Sequence, residues 1–234
     1  MNKAISSYCI VEDVREPDLR TYETDDLRRM HEAAREALEC QRVLKKVGLN
    51  LVGELLKGQG SFLEYNHYPQ GDVYDRETGS QYYYHAHRGE PEHGHFHVFH
   101  RPVEDNRPGQ VANPTHIVAI SMDAWGEAIG LFTTNRWVTA ERWRNAEATL
   151  KLAREFKIDH AWPSWPTNRW LSAMIIAFYP YIEMLTWHRD REIHHLERSG
   201  LKVILENREI EIIGQLPISL VDWEARLSAR LSVS

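Results

Sequence analysis

Between residues 85 and 100 the chain reads HAHRGEPEHGHFHVFH, which places six of its 13 histidines (His85, His87, His93, His95, His97 and His100) within sixteen residues. Two short runs, His85/His87 and His93/His95/His97, repeat histidine at every second position. In a β-strand, side chains two apart point to one face. Between the runs lie Gly89 and Pro91, both turn formers, so the pattern predicts an antiparallel hairpin. With Arg88 to Glu92 as the loop, His87 faces His93, His85 faces His95 and Tyr83 faces His97. The five odd-numbered histidines then share one face. Tyr82, Tyr84, Ala86, Phe96 and Val98 occupy the other, a composition suited to a core. His100 falls on that second face and reads as structural.

Cross-strand neighbours have Cβ atoms roughly 4.5–5.5 Å apart. Charged imidazoles at that spacing repel one another, whereas neutral ones form a dense set of nitrogen donors. Imidazole suits Zn, Cu, Fe and Ni. His85, His87, His93, His95 and His97 are therefore the candidate metal ligands. Three protein ligands leave open coordination positions, the condition for catalysis rather than structural binding. Tyr83 shares the histidine face, where its hydroxyl could orient a water or ligand. Glu90 follows His87 by three residues and is a second candidate catalytic group, as ligand or base. Glu92 reads as an exposed turn carboxylate. His116 opens an apolar run and reads as a core or strand-end residue.

At 234 residues, 42% hydrophobic and 26% charged, the chain has the composition of an ordinary globular protein. Its net charge of −6 supplies no basic field for nucleic acid or an anionic membrane. The opening MNKAISSYCIVEDVREPD has no apolar core of a secretory signal, and no apolar run reaches the roughly 18 residues of a membrane span. Cys9 and Cys40 fit no zinc or redox spacing. These features predict a cytoplasmic protein acting on a small molecule, and leave oligomeric state open.

Along the chain, an N-terminal segment (1–23) precedes a single α+β domain (24–234). Thr24 is placed to cap a helix whose apolar stripe runs through Leu27, Met30, Ala34 and Leu38. FLEYNHY reads as a strand and PQGDVYDRETG as a polar turn region. After the hairpin comes a polar loop at 102–114, long enough for a lid or crossover. THIVAISMD and AIGLFTTN read as further strands joined by AWGE. Thr139 is expected to cap a helix to about Phe156, and PTNRW to start another. Pro180 opens a new helix or kinks that one. On the late helix, Glu183 is a possible further metal ligand. LKVILENREIEIIG looks like two short strands around Glu206-Asn207. The fold class that fits is α+β: an antiparallel sheet containing the His-rich hairpin, packed with several helices.

Three resemblances bear on this stretch. HGHFHVF (93–99) resembles the central strand of the histidine triad nucleotide hydrolases, with Gly94 where that strand carries an apolar residue. The resemblance implies metal-free chemistry with His95 as the nucleophile towards a phosphate. HAHRGE resembles the first metal motif of cupins, with its glutamate at a different spacing. More broadly, YYYHAHRGEPEHGHFHVFHRP and AISMDAWGEAIGLFTTNRWVTAERW are similar to a bacterial family of uncharacterised proteins over about residues 60–215. The reading that follows from the residues is a metal-dependent enzyme, an Fe or Cu oxidoreductase with Zn as the other candidate metal. Its alternatives are a histidine-triad-like nucleotide phosphoramidase and a non-catalytic metal-binding or sensing protein.

Overall fold

The computed structural model describes residues 16–101, 113–198 and 203–233. Six antiparallel strands form one sheet in chain order: β1 (Tyr68–Tyr74), β2 (Ser80–His85), β3 (Gly94–His100), β4 (Thr115–Met122), β5 (Ala128–Thr134) and β6 (Ile212–Pro217). Each consecutive pair is adjacent, so the histidines on β2 and β3 lie inside the sheet with a partner strand on either side. The β2–β3 register pairs Tyr83 with His97 and His85 with His95, as the alternation predicts.

One face of the sheet carries Tyr82, Tyr84, Phe96, Val98, Val118, Ile120, Met122, Leu131 and Leu216, all buried in the main core. Helix α1 (Thr24–Lys45) packs into this core through Leu27, Met30, Ala34, Ala37 and Leu44, a helical stripe. It begins at Thr24 itself, with Glu23 at the cap position making no side-chain bond. The short α2 (Leu51–Leu56) is capped by Asn50, whose Oδ1 accepts from the Gly53 N–H at 2.7 Å. Helix α3 (Arg136–Thr139) is a single turn. Helices α4 (Ala146–Glu155) and α5 (Trp165–Ala177) add Leu150, Ala153, Trp170 and Met174 to the core. Pro180 sits in the first turn of α6 (Tyr179–Arg198), where a proline costs no hydrogen bond. Helix α7 (Leu220–Leu231), absent from the elements expected above, locks onto α5 through the Trp223 indole, a donor to the Ala177 carbonyl at 2.6 Å. None of these helices is long and apolar enough to cross a membrane.

Several expected elements differ. FLEYNHY is not a strand: Tyr65 adopts φ of 66°, which breaks an extended path. The strand begins at Tyr68 and runs through the segment expected to be a turn. It lies at the sheet edge with a register shift between Tyr68 and Val73, which is where Pro69 and Gly71 are tolerated. Thr139 ends α3 instead of starting a long helix, because Ala140 turns left-handed (φ 50°). The next helix is capped by Asn145, whose Oδ1 accepts from the Ala148 N–H at 3.0 Å. Of the two strands expected in LKVILENREIEIIG, the described residues show a 3-10 turn at Ile204–Glu206 and the strand β6. Residues 1–15 of the N-terminal segment, 102–112 of the expected lid or crossover loop, and 201–202 lie outside the described residues.

Gly94 opens β3 under tight constraint. A Cβ there would lie 2.6 Å from the His85 carbonyl oxygen and 2.6 Å from the Tyr84 hydroxyl. Forcing atoms into a packed site costs about 1–3 kcal/mol. Gly94→Ala is therefore expected to lower the urea unfolding midpoint by that amount of stability, and an unchanged midpoint contradicts this packing.

Candidate metal centre

The second face of the sheet gathers the imidazoles. His85 and His95 stand opposite each other, with their Nε2 atoms 2.7 Å apart. His95 Nδ1 lies 2.6 Å from Glu92 Oε1, and Arg88 Nη1 donates to Glu92 Oε2 at 2.9 Å. A carboxylate only accepts, so His95 Nδ1 carries a proton and neutral His95 has its lone pair on Nε2. His85 Nε2–H is then the donor. His87, just beyond the end of β2, brings its ring to 4.9 Å from that of His85 and 5.1 Å from that of His95. Each of the three offers a nitrogen, and these nitrogens lie within 4.8 Å of one another. The group could hold a metal ion. His95 is fully buried and His85 nearly so, while His87 is half-buried, its Nδ1 3.8 Å from Glu211 Oε1.

Behind this triad His97 packs with ring centroids 4.8 Å from His95 and 5.0 Å from His85. Its Nδ1 lies 3.0 Å from His116 Nε2, and His116 Nδ1 lies 3.4 Å from Thr134 Oγ1. His97 Nε2 is buried without a hydrogen-bond partner among the described residues. Buried polar atoms are nearly always paired, so this nitrogen is one of a small set of exceptions, and it lies beside the three converging imidazoles. Tyr83 packs against His85 and His97, and the His67 ring stacks on Tyr83 with centroids 3.6 Å apart.

Burial keeps His85, His95, His97 and His116 neutral. Desolvation, reinforced by His95 and His87, pushes His85 down to about 2, and burial also takes His97 well below its usual value. His116 falls to about 3 through burial and the charge of Arg189. His95 is lowered by burial despite the raising effect of Glu92. Burial works to raise Glu92, but His95, Ser121 and Arg88 hold it below the usual carboxylate range. Neutral imidazoles beside an ionised carboxylate are the protonation state a cation needs.

The structure brings together His85, His87, His95, His97 and Tyr83, but not His93. The sheet alternation starts at Gly94, so His93 turns to the core side, where its Nδ1 lies 2.8 Å from the Tyr84 hydroxyl and its ring stacks on Phe62. Glu90 is exposed and makes no side-chain hydrogen bond among the described residues. Glu183 accepts from the Tyr22 hydroxyl at 2.6 Å, beside α1, and is not a member of the cluster. Glu92, expected to be exposed, is the buried carboxylate of the site, its side chain 7% exposed. The available signal was its spacing, three residues before His95. Arg88 and His116 also join the site. His116 arrives because a register shift between Val98 and Phe99 sets it beside His97.

The family model of a domain of unknown function (DUF6969) matches residues 31–218, and the chain belongs to that family. No curated protein and no solved structure matches it.

The depressed pKa values have a definite consequence for stability. His85, His95, His97 and His116 titrate lower in the folded chain than in the unfolded one. Their contribution is present above about pH 6.5 and is lost as pH falls, because the unfolded chain takes up protons first. Each adds up to about 1.4 kcal/mol per pH unit. Glu141, held protonated by burial to about 8, acts in the opposite sense above its ordinary range, one group against five once His100, also lowered by burial, is included. Metal-free protein is expected to lose stability steeply between pH 6.5 and 5 in urea titrations. A flat profile there contradicts the buried neutral cluster.

Proposed function

We propose that this protein is a metal-dependent enzyme whose transition-metal ion is held by His85, His87 and His95. The observation that carries the reading is the convergence of three imidazoles, His85 and His95 kept neutral by burial, beside a fourth, His97, whose buried Nε2 has no partner among the described residues. Ligand nitrogens about 2.0–2.1 Å from a tetrahedral ion sit about 3.3 Å apart. The His85–His95 pair would open by a fraction of an ångström, and His85 would take its other neutral tautomer, with its proton on Nδ1, so that both Nε2 lone pairs could face the ion. Glu92 then performs the usual task of a carboxylate outside the ligand shell: it fixes the His95 tautomer and orients the ring. His97, paired through Nδ1 with His116, is the reserve ligand or proton acceptor at the back of the site.

Three ligands leave coordination positions free, which favours catalysis over a purely structural ion. The set is all imidazole, with no thiolate and with its carboxylate outside the ligand shell, which supports iron or copper and redox chemistry on a small molecule. Zinc is the other candidate. Tyr83, packed on His85 and His97, is the aromatic group best placed to orient what binds there. The metal-free nucleophile implied by the histidine triad resemblance finds no support in the geometry. His95 is fully buried, with one nitrogen on Glu92 and the other on His85.

Protein purified without a histidine tag is expected to carry about one transition-metal ion per chain. The His85→Ala/His95→Ala double variant is expected to lose it, and retention by that variant contradicts the assignment. Glu92→Gln is expected to weaken metal binding by about 10–100-fold while leaving the ligands in place; unchanged affinity removes Glu92 from the site. Substrate-linked oxygen consumption or electron transfer by the loaded wild type, absent from the double variant, tests the oxidoreductase reading.

A further inference from the structure

Beside the imidazoles the β2–β3 loop folds across the sheet. Arg88 lies over the Phe132 ring of β5 at 4.4 Å and donates to Gln215 of β6 at 2.9 Å, to Glu92, and to Ser121 of β4 at 3.4 Å. Between this loop and the sheet is a cavity of about 430 Å³, within the size range of small-molecule sites. Its floor is open at one position of β5. Residue 130 is glycine, where a Cβ would sit 3.6 Å from the Ser121 Cβ and 3.3 Å from the Leu216 carbonyl oxygen.

We infer that this cavity binds a small organic carboxylate with an apolar body. Arg88 spends both Nη atoms on Glu92, Ser121 and Gln215, and its Nε–H has no acceptor among the described residues. Gln215 turns Oε1 to the guanidinium, so its amide N–H donors are likewise without an acceptor among those residues. Two donors, one of them charged, belong to residues that line the cavity and match in number the two oxygens of a carboxylate. Phe132, Ile129 and the two prolines Pro91 and Pro217 supply the apolar remainder. The guanidinium is held in place by three side chains and a ring before any ligand arrives, so little ordering is lost on binding.

Glu92 lines this cavity and also holds His95. As the substrate pocket of the metal centre the site rests on the proposed function above; as a binding site it does not. Benzoate is the probe, with benzyl alcohol and benzylamine as neutral and cationic counterparts. Calorimetric titration of chelator-treated protein is expected to show benzoate bound at least tenfold more tightly than either. Arg88→Met is expected to weaken it at least tenfold. Gly130→Leu, which fills the floor and leaves the loop intact, is expected to abolish it with metal uptake retained. Absence of benzoate binding, or binding indifferent to both variants, overturns the inference. Metal content of the same wild-type preparation, measured before the chelator is added and again after it is removed and metal is returned, separates the two readings. Metal without benzoate binding removes the pocket alone, and benzoate binding without metal uptake upholds the pocket and removes the metal centre.

Discussion

The site depends on one short line of hydrogen bonds: Arg88 to Glu92, Glu92 to His95, His95 to His85. Each link determines the next. His95 first, then Ser121 and the guanidinium, keep the carboxylate ionised against its burial. The carboxylate fixes the proton of His95 on Nδ1, and that choice turns the Nε2 lone pair towards His85. Without Glu92 the two imidazoles could exchange tautomers, and nothing would decide which nitrogen faces the shared space. A buried carboxylate paired on both oxygens avoids the large cost of an isolated buried charge.

The sheet explains how so many titratable groups can be buried at once. Its helix-packed face carries tyrosine, phenylalanine and aliphatic side chains and supplies the burial that holds the strands in register. The other face is then free to be polar, because each imidazole leans on another ring and several share a hydrogen bond. His97 and His116 form such a pair behind the first three histidines. Within this cluster His97 Nε2 is buried without a hydrogen-bond partner among the described residues, which an apolar packing argument does not account for.

The strand alternation made much of this legible. Histidine at every second position on two runs predicts the shared face and the His85–His95 and Tyr83–His97 pairs, and these require only that both segments be extended. The pattern fails at His93, because alternation is a property of strands and residue 93 precedes the strand. Gly94 is the clue: a side chain there would collide with the His85 carbonyl and the Tyr84 hydroxyl. Glu92 was misjudged because turn residues are normally solvated, and only the folding of the loop back over the sheet buries it. His116 and Arg88 reach the site through a register shift and a loop crossing three strands, neither of which leaves a periodic trace. The helix at 220–231 carries an amphipathic pattern, but its role depends on the Trp223 contact with α5, a tertiary fact.

The central claim is that His85, His87 and His95 offer their nitrogens to one shared ion. Nitrogen-15 NMR of the imidazole rings during zinc titration of metal-free protein tests it most directly. The account predicts that one nitrogen of each of these three rings moves together to a metal-bound shift at one equivalent, with His93 and His100 unmoved. Saturation that leaves His85 and His95 hydrogen-bonded to each other, with zinc on other residues, would contradict it.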